Sequence, residues 1–272
     1  MRVKSVAIFG DSWAAKSFKK LQQPEDMSAS TFFSVGFNLF GAEAVGRLTF
    51  QQLFGSNGIV VDNFSKSGCS NTDIVVTLKK RTSMIHNSDL ILICQTDPLR
   101  DFCMPNAALL IDEQKIDQIK HYENLNDFTE NLCKNFYDQL SAIQEQLNKP
   151  FLLFTGCSKL CEKYIPTNIN YLLPCWTGIV DKRFKPDQSI YYDTWQRPLL
   201  FQKYLMKKFN LHDVDSMKNF FKIEEMINYR TNLWKTNENF GWAHPGDGAY
   251  QIMFDTLIKY IGELDDRSQT SN

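Results

Sequence analysis

The sequence predicts an α/β domain built on a mainly parallel sheet. Two observations carry this expectation. Short apolar runs at Val3–Phe9, Leu90–Cys94 and Phe151–Thr155 alternate with longer stretches whose apolar residues recur every three or four positions. The run "LILIC" from Leu90 contains no charged or strongly polar position, as expected of a strand covered on both faces.

The first strand, Val3–Phe9, stops at Gly10-Asp11-Ser12 and a helix-like segment follows. The second, Gly58–Phe64, runs into a turn at Ser65-Lys66-Ser67-Gly68. Ser70 with Asp73 three residues later has the spacing of a capping box, and Ile74, Leu78 and Ile85 then fall on one helical face. After the third strand, Phe128, Leu132, Phe136, Leu140, Ile143 and Leu147 mark another helix. Phe151–Thr155 is the fourth strand, closed by Gly156. From 157 to 240 the pattern is irregular and rich in Tyr, Trp, Phe and Asn. It holds a fifth strand near Tyr171–Leu173 and helical stretches at Pro198–Phe209 and Val214–Ile227. Ala249, Met253, Leu257 and Ile261 define a last helix over Gly246–Ile261. This predicts one domain over 1–264, with 157–240 as an insertion, and a disordered tail "DDRSQTSN" over 265–272.

Bulk properties narrow the function classes. The chain has 272 residues, 43% hydrophobic and 22% charged, with a formal net charge of −1. Near-neutrality gives no electrostatic reason to expect nucleic acid or an anionic membrane surface as partner. The short basic run Lys79-Lys80-Arg81 reads as a solvated helix face. No apolar stretch reaches the roughly 20 residues of a membrane span. The opening "MRVKSVAIFG" has neither the h-region nor the cleavage site of a secretory signal, so a cytoplasmic location is expected. Seven cysteines without regular spacing suit a reducing compartment. Cys157, Cys161 and Cys175 form no CxxC pair and have no nearby histidine, so no metal site is expected, and no cofactor is implied. The oligomeric state is left open.

In open α/β sheets, ligands bind beyond the carboxyl ends of the strands. Three predicted strands end there in polar clusters: Gly10-Asp11-Ser12, Asn63 to Gly68, and Gln95-Thr96-Asp97. A fourth cluster, "GWAHPGDGAY" from Gly241, opens the last helix. Alone, Ser12 is an ordinary helix cap. In this company it is a candidate nucleophile, which needs a base to accept its proton. His244 is the candidate base, because His86, His121 and His212 lie in helical or surface-like contexts.

The four clusters, in this order, resemble the blocks of the GDSL-like or SGNH hydrolases. Gly10-Asp11-Ser12 matches the first block, and Asn63-Phe-Ser-Lys-Ser-Gly68 has the Asn-to-Gly spacing of the second. Cys94-Gln95-Thr96-Asp97 stands where the third block has Gly-x-Asn-Asp, and Gly241-Trp242-Ala243-His244-Pro245 where the last has Asp-x-x-His. Uncharacterised members from phages and marine microbes share Gly-Cys-Ser-Asn in the second block and a threonine in the third. The resemblance implies a three-layer α/β/α fold with a flavodoxin-like five-stranded sheet. It also implies a serine esterase acting on an O-acyl ester of a carbohydrate or lipid, with Ser12 as nucleophile and His244 as base. The oxyanion would be held by the backbone N–H groups of Ser12 and Gly68 and by the side chain of Thr96 or Gln95. Thr96 replaces the block's asparagine and Gly241 its aspartate, so the orienting acid's role falls to Glu238, Asp247 or a main-chain carbonyl.

Other readings of the same residues stand beside these. Asp11 is a further support residue, Asn63 braces its turn, and Thr96 caps the segment after strand three. Asp97 and Arg100 pair with each other, or Arg100 meets a substrate carboxylate or sugar. Cys69 is either a reactive thiol or a small buried filler. Trp176, Trp195, Trp234 and Trp242 are core packing or a sugar-stacking wall. The whole chain could also be an SGNH-fold binding module without catalysis, or an acyltransferase using the same serine.

Overall fold

The expected parallel sheet is present, and its strand order decides where a site can form. The protein is seen in a computed structural model that describes residues 3–15, 17, 48–66, 68–104, 107–111, 125–156, 158, 160–182, 236–240 and 244–270. Strand β1 (Ser5–Phe9) leads into the single-turn helix α1 (Ser12–Ala15). Helix α2 (Phe50–Ser56) precedes β2 (Val60–Asn63), and α3 (Asn71–Ile85) precedes β3 (Leu90–Gln95). A 3₁₀ turn (Pro98–Phe102) opens into the short strands β4 (Cys103–Met104) and β5 (Ala107–Ile111). Then come α4 (Leu125–Leu147), β6 (Phe151–Thr155), a 3₁₀ turn at Glu162–Tyr164, β7 (Asn170–Tyr171), α5 (Trp176–Val180) and α6 (Asp247–Thr270).

The sheet has five strands in the order β2-β1-β3-β6-β7, and every neighbouring pair is parallel. Counting the sheet strands alone, this is the 2-1-3-4-5 order of doubly wound domains, so the fold is the predicted three-layer, flavodoxin-like one. Strand alternation separates two cores. Val6, Ile8, Leu92, Cys94, Leu152 and Phe154 face α2, α5 and α6. Ala7, Phe9, Ile91, Ile93, Phe151 and Leu153 face α3 and α4.

The helices follow from local sequence. Ser70 caps α3 as its spacing predicts, its hydroxyl accepting from the Asp73 N–H while the Asp73 carboxylate accepts from the Ser70 N–H. Thr49 and Gln52 form an equivalent box on α2. On the α6 side, Trp176 is fully buried, with its ring 5.4 Å from Phe50 and 4.9 Å from Tyr250. Its indole N–H donates to the Ala249 carbonyl at 3.0 Å, so the polar end is satisfied within the core.

Several boundaries differ from expectation. β1 and β2 are shorter than Val3–Phe9 and Gly58–Phe64, while β3 extends one residue to Gln95. The fifth strand falls at Asn170–Tyr171 rather than Tyr171–Leu173. The antiparallel β4–β5 pair is additional. α6 begins at Asp247 and continues to Thr270, into the stretch expected to be a tail; Glu263 and Arg267 stand one turn apart there, a spacing that favours helix. The stretches Pro198–Phe209 and Val214–Ile227 lie outside the described residues, as do Cys157, His121, His212, Trp195, Trp234, Gly241 and Trp242. Among the described residues no helix is long and apolar enough to cross a membrane, and no cluster of His, Cys, Asp or Glu could hold a metal ion.

Gly10 shows how tightly the end of β1 is packed. A Cβ there would lie 2.7 Å from the Cys94 Cβ and 2.9 Å from the Ala14 Cβ, atoms with no rotamer by which to withdraw. Gly10→Ala is therefore expected to destabilise the fold by about 1–3 kcal/mol, the usual cost of overpacking, as read by urea unfolding.

Candidate active site

β2 and β3 flank β1 on opposite sides, so the loop leaving β1 emerges at the point where the strand order reverses. Asp11 and Ser12 occupy that loop, and the main chain of Ser12 begins α1. The Asp11 carbonyl accepts from the N–H groups of Ala14 and Ala15. Its carboxylate is buried and is met by Thr96 and Arg100. Thr96 Oγ1 donates to Oδ2 at 3.0 Å, and Arg100 Nη1 pairs with the same oxygen at 2.7 Å. A hydroxyl has one proton, and here the Thr96 proton is directed at Asp11.

The turn after β2 is bound to the same corner. The Gly10 carbonyl accepts from the Lys66 N–H at 2.9 Å and from the Cys69 thiol at 3.0 Å. Asn63 braces the turn, its amide donating to the Ala14 carbonyl and accepting from the Ser65 N–H. Gly68 has φ +77°, in the left-handed region that glycine enters without strain.

A third connection runs through Asn71, which no sequence motif marks as a site residue. Its fully buried side chain makes two bonds to the backbone of Thr96. Oδ1 accepts from the Thr96 N–H at 3.0 Å and Nδ2 donates to the Thr96 carbonyl at 3.1 Å. Asp101 adds a parallel tie by accepting from the Thr72 N–H at 2.8 Å. The ends of β1, β2 and β3 are thus joined pairwise by side chains.

The remaining candidates lie on several different elements. Gln95 follows Ile93 in the strand alternation and faces α4, where Nε2 donates to Cys133 Sγ at 3.7 Å and Oε1 is buried without a partner. Asp97 is buried, and its charge is felt at Cys133. His244 is half-buried beside Pro245, whose main chain bridges to Phe240. Glu238 is exposed, two residues before Phe240. Asp247 Oδ1 accepts from the Ser17 hydroxyl at 2.5 Å and from the Leu48 N–H at 3.2 Å, tying the start of α6 to the segment after α1. Tyr250, one turn into α6, is buried among core residues at the strand ends. Burial first, then neighbouring Cys94 and Asp11, hold its phenol well above the usual range.

Cys69 is resolved between its two readings. Burial pushes its thiol up to about 12, and the Asp11 carboxylate adds to the shift. The thiol is therefore protonated at neutral pH and donates to Gly10. Trp176 belongs to the core already described.

No protein-family model and no curated protein matches the chain. Solved structures do resemble it. An α/β hydrolase from the metagenome of Lake Arreo, Spain, shares 11% identity over 96% of this chain and 97% of its own, with a TM-score of 0.40. An acetylxylan esterase from Geobacillus stearothermophilus shares 16% over 96% and 95%, also with a TM-score of 0.40. A GDSL-like lipase from Parabacteroides merdae shares 13% over 96% of each chain, with a TM-score of 0.35. These likenesses are distant, and the fold rests on the strand order itself.

Two outcomes follow from the geometry. In the folded protein at pH 8, Cys69 is expected to resist iodoacetamide, and to be alkylated once guanidinium unfolds the chain, as read by peptide mass spectrometry. Asn71→Ala strands the N–H and carbonyl of Thr96 in a buried place, so a loss of about 1–3 kcal/mol is expected in urea unfolding.

Proposed function

We propose that the protein is a serine ester hydrolase of the SGNH type, acting on an O-acyl ester of a carbohydrate or lipid. The observation that carries this reading is the position of Asp11-Ser12 at the reversal point of the sheet, with Gly68 from one neighbouring strand and Thr96 from the other. That is where an open α/β sheet has room for a ligand against exposed main-chain groups.

The chemistry follows in two half-reactions. Ser12 Oγ attacks the ester carbonyl while His244 takes the hydroxyl proton. The carbonyl oxygen becomes an oxyanion, met by the main-chain N–H groups of Ser12 and Gly68. The C–O bond to the alcohol breaks, and the imidazolium returns its proton to the departing alkoxide. Water then adds to the acyl-enzyme by the same route, giving the carboxylic acid and the free serine. Thr96 serves this site through Asp11, since its hydroxyl already points there. The second imidazole nitrogen of His244 donates to Glu238, Asp247 or a main-chain carbonyl, because Gly241 carries no side chain to receive it. No step calls for a metal or an organic cofactor.

A fluorophosphonate probe tests the proposal. Ser12 is expected to be labelled, with no label in Ser12→Ala and slower labelling in His244→Ala. Hydrolysis of p-nitrophenyl acetate should fall by at least about 10³-fold in Ser12→Ala. An unlabelled wild-type protein would instead be a binding module. Transfer of the acyl group to an added alcohol, in preference to water, would make it an acyltransferase.

A further inference from the structure

The Asp11 carboxylate is an awkward group to keep beside a reaction that develops negative charge. It belongs to the residue immediately before Ser12, its side chain is 5% exposed, and it lies at the strand end where the oxyanion would form. Unpaired, it would repel that oxyanion through a medium poor in water. Arg100 answers the charge directly, at 2.7 Å, from a side chain 18% exposed.

We propose that Arg100 is a positioning residue for the hydrolysis: it fixes the Asp11 carboxylate and neutralises it, so that the Ser12 N–H and its surroundings stay receptive to an oxyanion. This inference rests on the hydrolase reading. From the 3₁₀ turn at Pro98–Phe102 the guanidinium reaches across to Asp11 at the end of β1. The turn itself is pinned, because the Arg100 N–H donates to the Asp97 carbonyl at 3.0 Å and Asp101 holds the Thr72 N–H.

The field at this corner is felt next door. Cys69 adjoins Gly68, and after burial its thiol is raised by Asp11 and lowered by Arg100, with Asp73 raising it further. The two charges therefore oppose each other at the place where the second proposed oxyanion donor lies. Among the described residues, Thr96 just past β3 and Arg100 from the turn beyond it both hold Asp11. Of these two, Arg100 brings a compensating charge.

The experiment measures p-nitrophenyl acetate turnover per active site, with sites counted by fluorophosphonate titration so that misfolded protein drops out. Arg100→Gln keeps a donor but loses the charge, and kcat per site is expected to fall by roughly 10- to 100-fold with KM changed by less than about threefold. Arg100→Lys, which restores the charge, and the doubly neutral Asp11→Asn/Arg100→Gln are each expected within about fivefold of wild type. A purely structural role would lower the number of titratable sites and leave kcat per site unchanged. Arg100→Gln turning over within about twofold of wild type overturns the proposal, as does a double variant no better than Arg100→Gln. Should Arg100→Gln fail to fold, Arg100→Met replaces it, alone and with Asp11→Asn, and the same two comparisons decide. Wild-type protein that does not label at Ser12 overturns the hydrolase reading instead, so the two failures are distinct.

Discussion

A buried carboxylate organises this molecule's upper edge. Asp11 lies where β1 ends, and one of its carboxylate oxygens receives both the Thr96 hydroxyl and the Arg100 guanidinium. A carboxylate left bare in such a place costs several kcal/mol, so the three groups stand or fall together. Around them, Cys69 and Lys66 secure the main chain of Gly10, and Asn71 secures the main chain of Thr96. Three loops that would otherwise wander are thereby held as one rigid rim.

That rim is only as good as the sheet beneath it. β1 lies between β2 and β3 in parallel register, and both faces are sealed by apolar layers. Parallel strands all point their carboxyl ends the same way, so the loops that follow them gather on one edge. The aromatic group of Phe50, Trp176 and Tyr250 packs the start of α6 against α2 and α5. Substrate chemistry at Ser12 would draw on this stiffness, because an oxyanion site works by having its donors in place before the charge appears.

Much of this was legible in the chain. The apolar runs and their alternation with helical periodicity foretell the sheet and its two helical layers. The Ser70–Asp73 box announces α3 to the residue. The polar clusters mark the strand ends that meet around Asp11. Less was legible where segments are short or polar. α2 is seven residues long, and its one local sign is the Thr49–Gln52 box, which has the right spacing but little apolar periodicity behind it. The β4–β5 pair involves a two-residue strand, below the length at which a period can be read.

What the sequence determined by itself is therefore everything that acts over a few residues: which stretches are strands, where helices start, and that Gly10-Asp11-Ser12 ends the first strand. Only the tertiary structure decided who meets whom. Asp11 meets Thr96 and Arg100, partners 85 and 89 positions away. Nor does Asn71 look different from any polar residue in a helix's first turn until Thr96 arrives against it from 25 residues on. The reason is physical. Caps and periodicities are written in the local backbone, whereas a buried hydrogen bond exists only once the strand order has chosen which ends lie side by side.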